Sequence, residues 1–345
     1  MENIMVHYPY SVVSRGGKYT VLNTQDIAIE ALTCYPITYQ SIAHIGQNAN
    51  TIYKVTDKES NCYSLRIHLS KNDSMESIWS EEKVILSEMI WLESLTNDTN
   101  LVLPSPIKNN IGEYVTKIAD INCTLLKWVD GEQKQFVPTV NDAECVGELI
   151  GKLHKQSSFW KIPSSFTRPS FDNSRISQSL EKLKQLANGG ELDKNDVEIL
   201  QLAGECAILM MNDIERTPGN WGIIHADLIP SNFVFHEQEA RAIDFGACGF
   251  GYYLFDLGWT LSYIHPAFRN QLLESYAKQF DLPHNYVQRL EGFFVAAQLE
   301  TINFWLGLPE SNEWLPSHIS KLASREFKRY VNKEGFLFSG TTYWE

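Results

Sequence analysis

Residues 221–251 read WGIIHADLIPSNFVFHEQEARAIDFGACGFG. Two β-rich runs, NFVF at 232–235 and RAI at 241–243, flank the polar turn HEQEA, which is the pattern of a hairpin. His225 and Asp227 precede the hairpin, Asn232 stands at its entrance, and Asp244 follows its second strand, twelve residues beyond Asn232. A loop entering a hairpin can aim Asp227 at a hydroxyl group while Asn232 and Asp244 converge on one metal position. Phosphoryl transfer has this requirement. Charge spreads over the three oxygens of the transferred group, so hard oxygen ligands hold magnesium against the phosphates while one carboxylate orients the nucleophile.

The sequence on either side of the hairpin is helical. Asn141 and Glu144 read as a capping-box start to NDAECVGELIGKLHKQ, and amphipathic stretches fill 177–218 and 266–306. Residues 160–196, with several Ser, Pro, Asn and Gly, read as an irregular insertion or a mobile loop. The N-terminal part is of another kind. After a short helix over 24–35, SIAHIGQNANTIYKVTDKESNCYSLRIHL alternates in the strand manner, and residues 102–118 and 122–132 add further strands. Between them ESIWSEEKVILSEMIWLESL is a helix in which Glu81 and Glu88 share the inward stripe of Ile85, Leu92 and Leu95. The fold class is therefore α+β, with a small β-rich lobe over 1–129 and a larger, mainly helical lobe over 130–345. Residues 1–20 form an extension whose role the sequence does not assign.

A chain of 345 residues is long enough for two lobes. No apolar run approaches the length of a membrane span, and the first residues lack the features of a signal peptide, so the expected location is cytoplasmic with no membrane partner. The six cysteines are scattered with no CxxC pair and read as reduced, mostly buried thiols. The formal charge of −13 disfavours nucleic acid as a partner and suits a cationic small molecule, although acidity also serves plain solubility.

The order His225, Asp227, Asn232, Asp244 resembles that of the aminoglycoside phosphotransferase and choline kinase superfamily, from about residue 40 onward. The resemblance implies a two-lobed protein-kinase-like fold, ATP and Mg2+ as cofactors, and transfer of the γ-phosphate to a hydroxyl of a small molecule. It implies Asp227 as the catalytic base or orienting carboxylate, Asn232 and Asp244 as magnesium ligands, and His225 as a support for the loop. A basic residue on the third strand, here Arg66, would reach the phosphates and pair with Glu88, with Glu81 as the substitute partner. The nucleotide loop would be HIGQNANTIY, with Gly46, Asn48, Asn50 and Thr51, and the adenine would sit against the linker from Lys127 through Val129 to Gly131, between the lobes. Asp256 would steady the catalytic loop from below.

Only about a dozen residues separate Asp244 from Asp256, which leaves no room for the long activation segment of a protein kinase. The acceptor expected first is an amino alcohol or other small metabolite such as homoserine, then an aminoglycoside-type antibiotic, and third a protein serine or threonine. A catalytically silent nucleotide-binding scaffold of the same fold is the alternative from another class, and a metal-dependent hydrolase a further one. Ile229 and Gly246 depart from the polar and acidic residues that many relatives carry there. Trp259, Tyr263, Phe294 and Trp305, with Glu300, form an aromatic run read either as a pocket for an amine or as helix core.

Overall fold

Alternation of apolar and polar residues over 39–68 builds the centre of the β-rich part, because a strand with one face on a core buries every second side chain. The computed structural model describes every residue except 1–9, 16–17, 48–49, 70–76, 136, 138, 189–191, 307, 309–310 and 340–345. The chain divides into two units, one of residues 1–130 with 162–167 and the other of 131–161 with 168–345.

In the first unit β1 (Tyr10–Arg15) pairs antiparallel with β2 (Lys18–Asn23), and α1 (Thr24–Leu32) follows. Then come β3 (Tyr39–Gln47), β4 (Thr51–Asp57), β5 (Cys62–His68), α2 (Glu82–Asp98), β6 (Pro106–Ile107), β7 (Val115–Ile118) and β8 (Ile121–Lys127). They form an antiparallel sheet in the order β3-β4-β5-β8-β6, with β7 pairing β8 as well. Ile27, Ala31 and Leu32 of α1 pack on Val55, Leu65, Ile67 and Leu125 of the sheet. Removal of such side chains from water is the main stabilising term.

The second unit holds α3 (Val140–Phe159), β9 (Ser170–Phe171), α4 (Asn173–Asn188), α5 (Lys194–Asn212), β10 (Trp221–Ile224), β11 (Phe233–His236), β12 (Glu239–Ala242) and β13 (Gly249–Tyr252). It ends with α6 (Tyr253–Ser262), α7 (Pro266–Ala277), α8 (Tyr286–Trp305), α9 (Leu315–Leu322) and α10 (Lys328–Val331). β11 and β12 are the hairpin expected from the sequence, in the register Phe233↔Ala242 to His236↔Glu239. β10, β13 and β9 form a small sheet in which β9 runs parallel to β13. The mixed α+β class, strands first and helices after, is the one read from the sequence.

Three local readings are corrected. The stretch 160–196 is not simply irregular, since α4 occupies Asn173–Asn188 and buries Ile176, Leu180, Leu183 and Ala187. α3 starts earlier than the Asn141–Glu144 signature: Thr139 is its N-cap and accepts from the amide of Asp142. Of the six cysteines, all unbridged, only Cys123 and Cys248 are buried, and Cys206 is exposed. Among the described residues no helix is long and apolar enough to cross a membrane.

Helices α3 and α7 approach so closely that a Cβ at Gly147 would lie 2.1 Å from the Leu272 carbonyl oxygen. The obstacle is backbone and cannot rotate away. Gly147→Ala is therefore expected to lower unfolding stability by about 1–3 kcal/mol or more, measured by urea denaturation. Gly219→Ala, whose Cβ would meet nothing nearer than 3.8 Å, serves as the matched control.

Candidate active site

The loop between β10 and β11 is built around a buried carboxylate. Asp256, fully buried in the first turn of α6, accepts the Ala226 amide on Oδ1 at 2.7 Å and the His225 amide on Oδ2 at 2.8 Å. Ala226 has a positive φ of 63°, a conformation that L residues avoid and that must be held by its surroundings. His154 of α3 lies 3.2 Å from Asp256 Oδ2 through Nε2, while its Nδ1 meets the Tyr276 hydroxyl at 3.0 Å. Thr260, one turn further along α6, donates to the Leu228 carbonyl at 2.9 Å.

This scaffold sets the side chains that follow. The Asn232 Nδ2 donates to both the Asp227 carbonyl and Asp227 Oδ2, each at 2.8 Å. His225 donates from Nε2 to the Ile243 carbonyl at 3.1 Å, and its ring lies 4.5 Å from that of Phe245. That bond ties the loop to the strand end that carries Asp244. Burial holds the His225 imidazole below its usual pKa, so it stays neutral and supports the loop as a hydrogen-bond donor.

Asp244 adopts a left-handed conformation, φ 59° and ψ 67°, and caps the short turn Phe245–Ala247 by accepting from the Gly246 amide. Asp227 is half-buried, and desolvation, followed by the charge of Asp244, pushes its carboxyl up to about 8 against the opposing pull of the Asn232 hydrogen bond. Two neighbouring carboxylates beside an amide oxygen are a donor set suited to a hard divalent cation. With both N–H groups of Asn232 turned to Asp227, its Oδ1 is the atom left to act as a ligand. Among the described residues no group of three His, Cys, Asp or Glu side chains is gathered as a metal site, and the donors a cation would meet here are the Asp244 carboxylate, close to that of Asp227, and the amide oxygen of Asn232. The residues fit magnesium better than a transition metal.

The first unit carries the other polar pair. Arg66 Nη1 lies 2.7 Å from Glu88 Oε1, and both residues are buried. Glu81 is instead exposed and pairs with Lys83, so Glu88 alone belongs to the inward stripe. Gly46 sits beside a register shift at the end of β3, Asn50 is half-buried before β4, and Thr51 is fully buried. Asn48 lies outside the described residues. Lys127 ends β8 with its side chain exposed and its amide bonded to the Ser105 carbonyl, and Val129 is buried.

The aromatic run behaves mostly as core. Phe294 packs against Phe336 at 5.2 Å, Trp259 against Phe255 at 5.8 Å, and Trp305 against Trp314 at 5.6 Å. Tyr263 closes the C-terminal end of α6. Glu300 is committed to Arg175, whose Nε lies 3.0 Å from Oε2, which removes the free carboxylate that an amine pocket built on it would need.

The second unit carries the spacing of Asp227, Asn232 and Asp244 with the amide clamp at Asp256, the first carries the Arg66–Glu88 pair, and the model of the phosphotransferase enzyme family matches residues 42–292. The chain belongs to this family. It is thus an enzyme of phosphoryl transfer. Its sequence is 22% identical over 251 residues to the amicoumacin kinase of Bacillus subtilis (strain 168), covering 70% of this chain and 68% of that protein. Among solved structures, a microcompartment-associated aminopropanol kinase is 22% identical with a TM-score of 0.74, covering 91% of this chain and all of the other. An amicoumacin kinase in complex with AMP-PNP and Ca2+ is 16% identical with a TM-score of 0.71, covering 93% and 96%. These likenesses extend the kinase-like fold over nearly the whole chain.

In Asp256→Asn one of the two amides would face an N–H group in place of an oxygen. An unsatisfied buried donor costs about 1–3 kcal/mol, and the strained Ala226 loses its restraint. The expected outcome is a loss of unfolding stability of that order together with loss of phosphoryl transfer, read by denaturant titration and by ADP release.

Proposed function

We propose that this member of the phosphotransferase enzyme family is an ATP- and magnesium-dependent kinase of small-molecule hydroxyl groups. The observation that carries the reading is the contact of Asn232 with Asp227, side chain and backbone, beside the carboxylate of Asp244. Asp227 orients the acceptor hydroxyl and takes its proton as the new oxygen–phosphorus bond forms and the bond to ADP breaks. Asn232 fixes the rotamer of Asp227 and offers Oδ1 beside Asp244 for the cation. Magnesium, when bound there, supplies positive charge against the phosphate oxygens and offsets the Asp244 charge that raises Asp227. Arg66, paired with Glu88, is the residue assigned to reach the nucleotide phosphates, together with Gly46 and Asn50. Backbone from Lys127 to Val129 would face the adenine.

The acceptor class proposed first is an amino alcohol. The acidity of the chain suits a cationic acceptor, and the solved aminopropanol kinase of like fold supports that class. An antibiotic acceptor is second, supported by the amicoumacin kinase relative. The short passage from Asp244 to Asp256 speaks against a protein acceptor.

The test is a coupled ADP-release assay with ATP and Mg2+ over a panel of amino alcohols, homoserine, sugars, aminoglycosides, amicoumacin, macrolides and a generic protein, with Asp227→Asn alongside. Stimulation by one small-molecule class, absent in Asp227→Asn while that variant still binds ATP, is the expected result. Stimulation by the protein substrate alone, or undiminished turnover in Asp227→Asn, would refute the assignment. Loss of a positioned general base lowers turnover by about 100- to 10,000-fold.

A further inference from the structure

Asp244 occupies a left-handed backbone conformation, which its surroundings must hold. The Gly246 amide reaches Asp244 Oδ1 only at 3.4 Å, and the turn that follows is just Phe245–Ala247. The strand before Asp244 is secured: the Ile243 amide donates to the Asn232 carbonyl at 3.0 Å, and the Ile243 carbonyl accepts from His225. What secures the side after Asp244 is Arg168. Its guanidinium is buried, with Nε donating to the Cys248 carbonyl and Nη2 to the Gly246 carbonyl. The next residues continue the attachment. The Pro169 carbonyl accepts the Phe250 amide at 2.8 Å, and Ser170 and Phe171 pair in parallel with Phe250 and Gly251. Gly249 is required by this approach, since a Cβ there would meet the Pro169 oxygen at 2.5 Å.

Residues 168–171 therefore form a splint along 246–251, and Arg168 is its end nearest Asp244. A planar guanidinium can hold two carbonyls two residues apart at once, whereas an ammonium on a flexible stem holds them one at a time. Placing a charge inside the protein is costly unless its hydrogen bonds are met, so this site has a narrow choice of residue. We propose that Arg168 is a positioning residue for the cation site: by fixing the Gly246 and Cys248 carbonyls it sets the left-handed turn that aims the Asp244 carboxylate. The inference rests on the reading of Asp244 as a ligand of the cation, and extends it to a residue far from the motif in sequence. Outer groups that orient a metal ligand typically change metal affinity by about 10- to 100-fold when removed.

The experiment is Mn2+ binding to the purified full-length chain in the presence of ADP, with free Mn2+ read by electron paramagnetic resonance. Wild type is compared with Arg168→Lys, Arg168→Gln, Asp244→Ala and Arg329→Gln, the last removing a guanidinium that bonds the Gly335 carbonyl and the Ser339 hydroxyl near the C-terminal end. The expected result is Mn2+ affinity weakened on the order of 10- to 100-fold in both Arg168 variants and in Asp244→Ala, unchanged in Arg329→Gln, with ADP binding in the absence of metal retained. Wild-type Mn2+ affinity in a folded Arg168→Lys or Arg168→Gln would overturn the inference while leaving the role of Asp244 standing. Unchanged affinity in Asp244→Ala would remove the role of Asp244 and the inference with it. An equal loss in Arg329→Gln would mean general destabilisation and would also overturn it. Where Arg168→Gln does not fold, Arg168→Lys, which keeps the charge and one hydrogen bond, decides.

Discussion

The carboxylate of Asp256 is the constraint on which the rest of the second unit's chemistry depends. It has no exposed surface, and its two oxygens are taken by consecutive main-chain amides, those of His225 and Ala226. Consecutive amides point the same way only when the backbone between them turns sharply, which is why Ala226 sits at positive φ. The turn sends Asp227 out of the strand direction of β10 and toward Asn232. His154, stacked on Tyr253 and linked to Tyr276, fixes Asp256 from the other side. A buried anion is thus converted into a backbone shape, and the backbone shape into the placement of a second carboxylate.

The two acidic residues that follow experience opposite treatments. Asp256 is surrounded by donors, whereas Asp227 is crowded by the like charge of Asp244 and has Asn232 as its side-chain donor. Like charges held close together are costly for folding, and carboxylates perturbed in this way gather at functional sites. The Arg66–Glu88 pair is the converse case. Its charges are matched within the first unit and need no ligand for their neutrality.

Much of this was legible in the sequence, where the physics is local. The hairpin follows from two short β-rich runs around a polar turn, whereas the hydrogen bonds from Asn232 to Asp227 were not read from the sequence, which grouped Asn232 with Asp244. Glu88 is named as the partner of Arg66 through the family resemblance, since the apolar stripe admits Glu81 as well, which in fact falls at the N-cap of α2 and pairs with Lys83. His154 and Arg168 were missed for a common reason. Their partners lie 102 and 80 residues away, and neither has a local signature, one being an ordinary helix residue and the other a loop arginine before a proline. The helix α4 was obscured by its composition, since its Ser and Asn residues outweighed the recurrence of Ile176, Leu180, Leu183 and Ala187 at helical intervals.

The stretch from Asp244 to Asp256 has a consequence for control. Every residue of it is committed, first to the turn that Asp244 caps, then to β13 between two other strands, then to the opening turn of α6. A polypeptide with no slack between its ligand-bearing turn and its anchoring carboxylate offers no segment there for a modifying enzyme to seize, or for a partner to reorder.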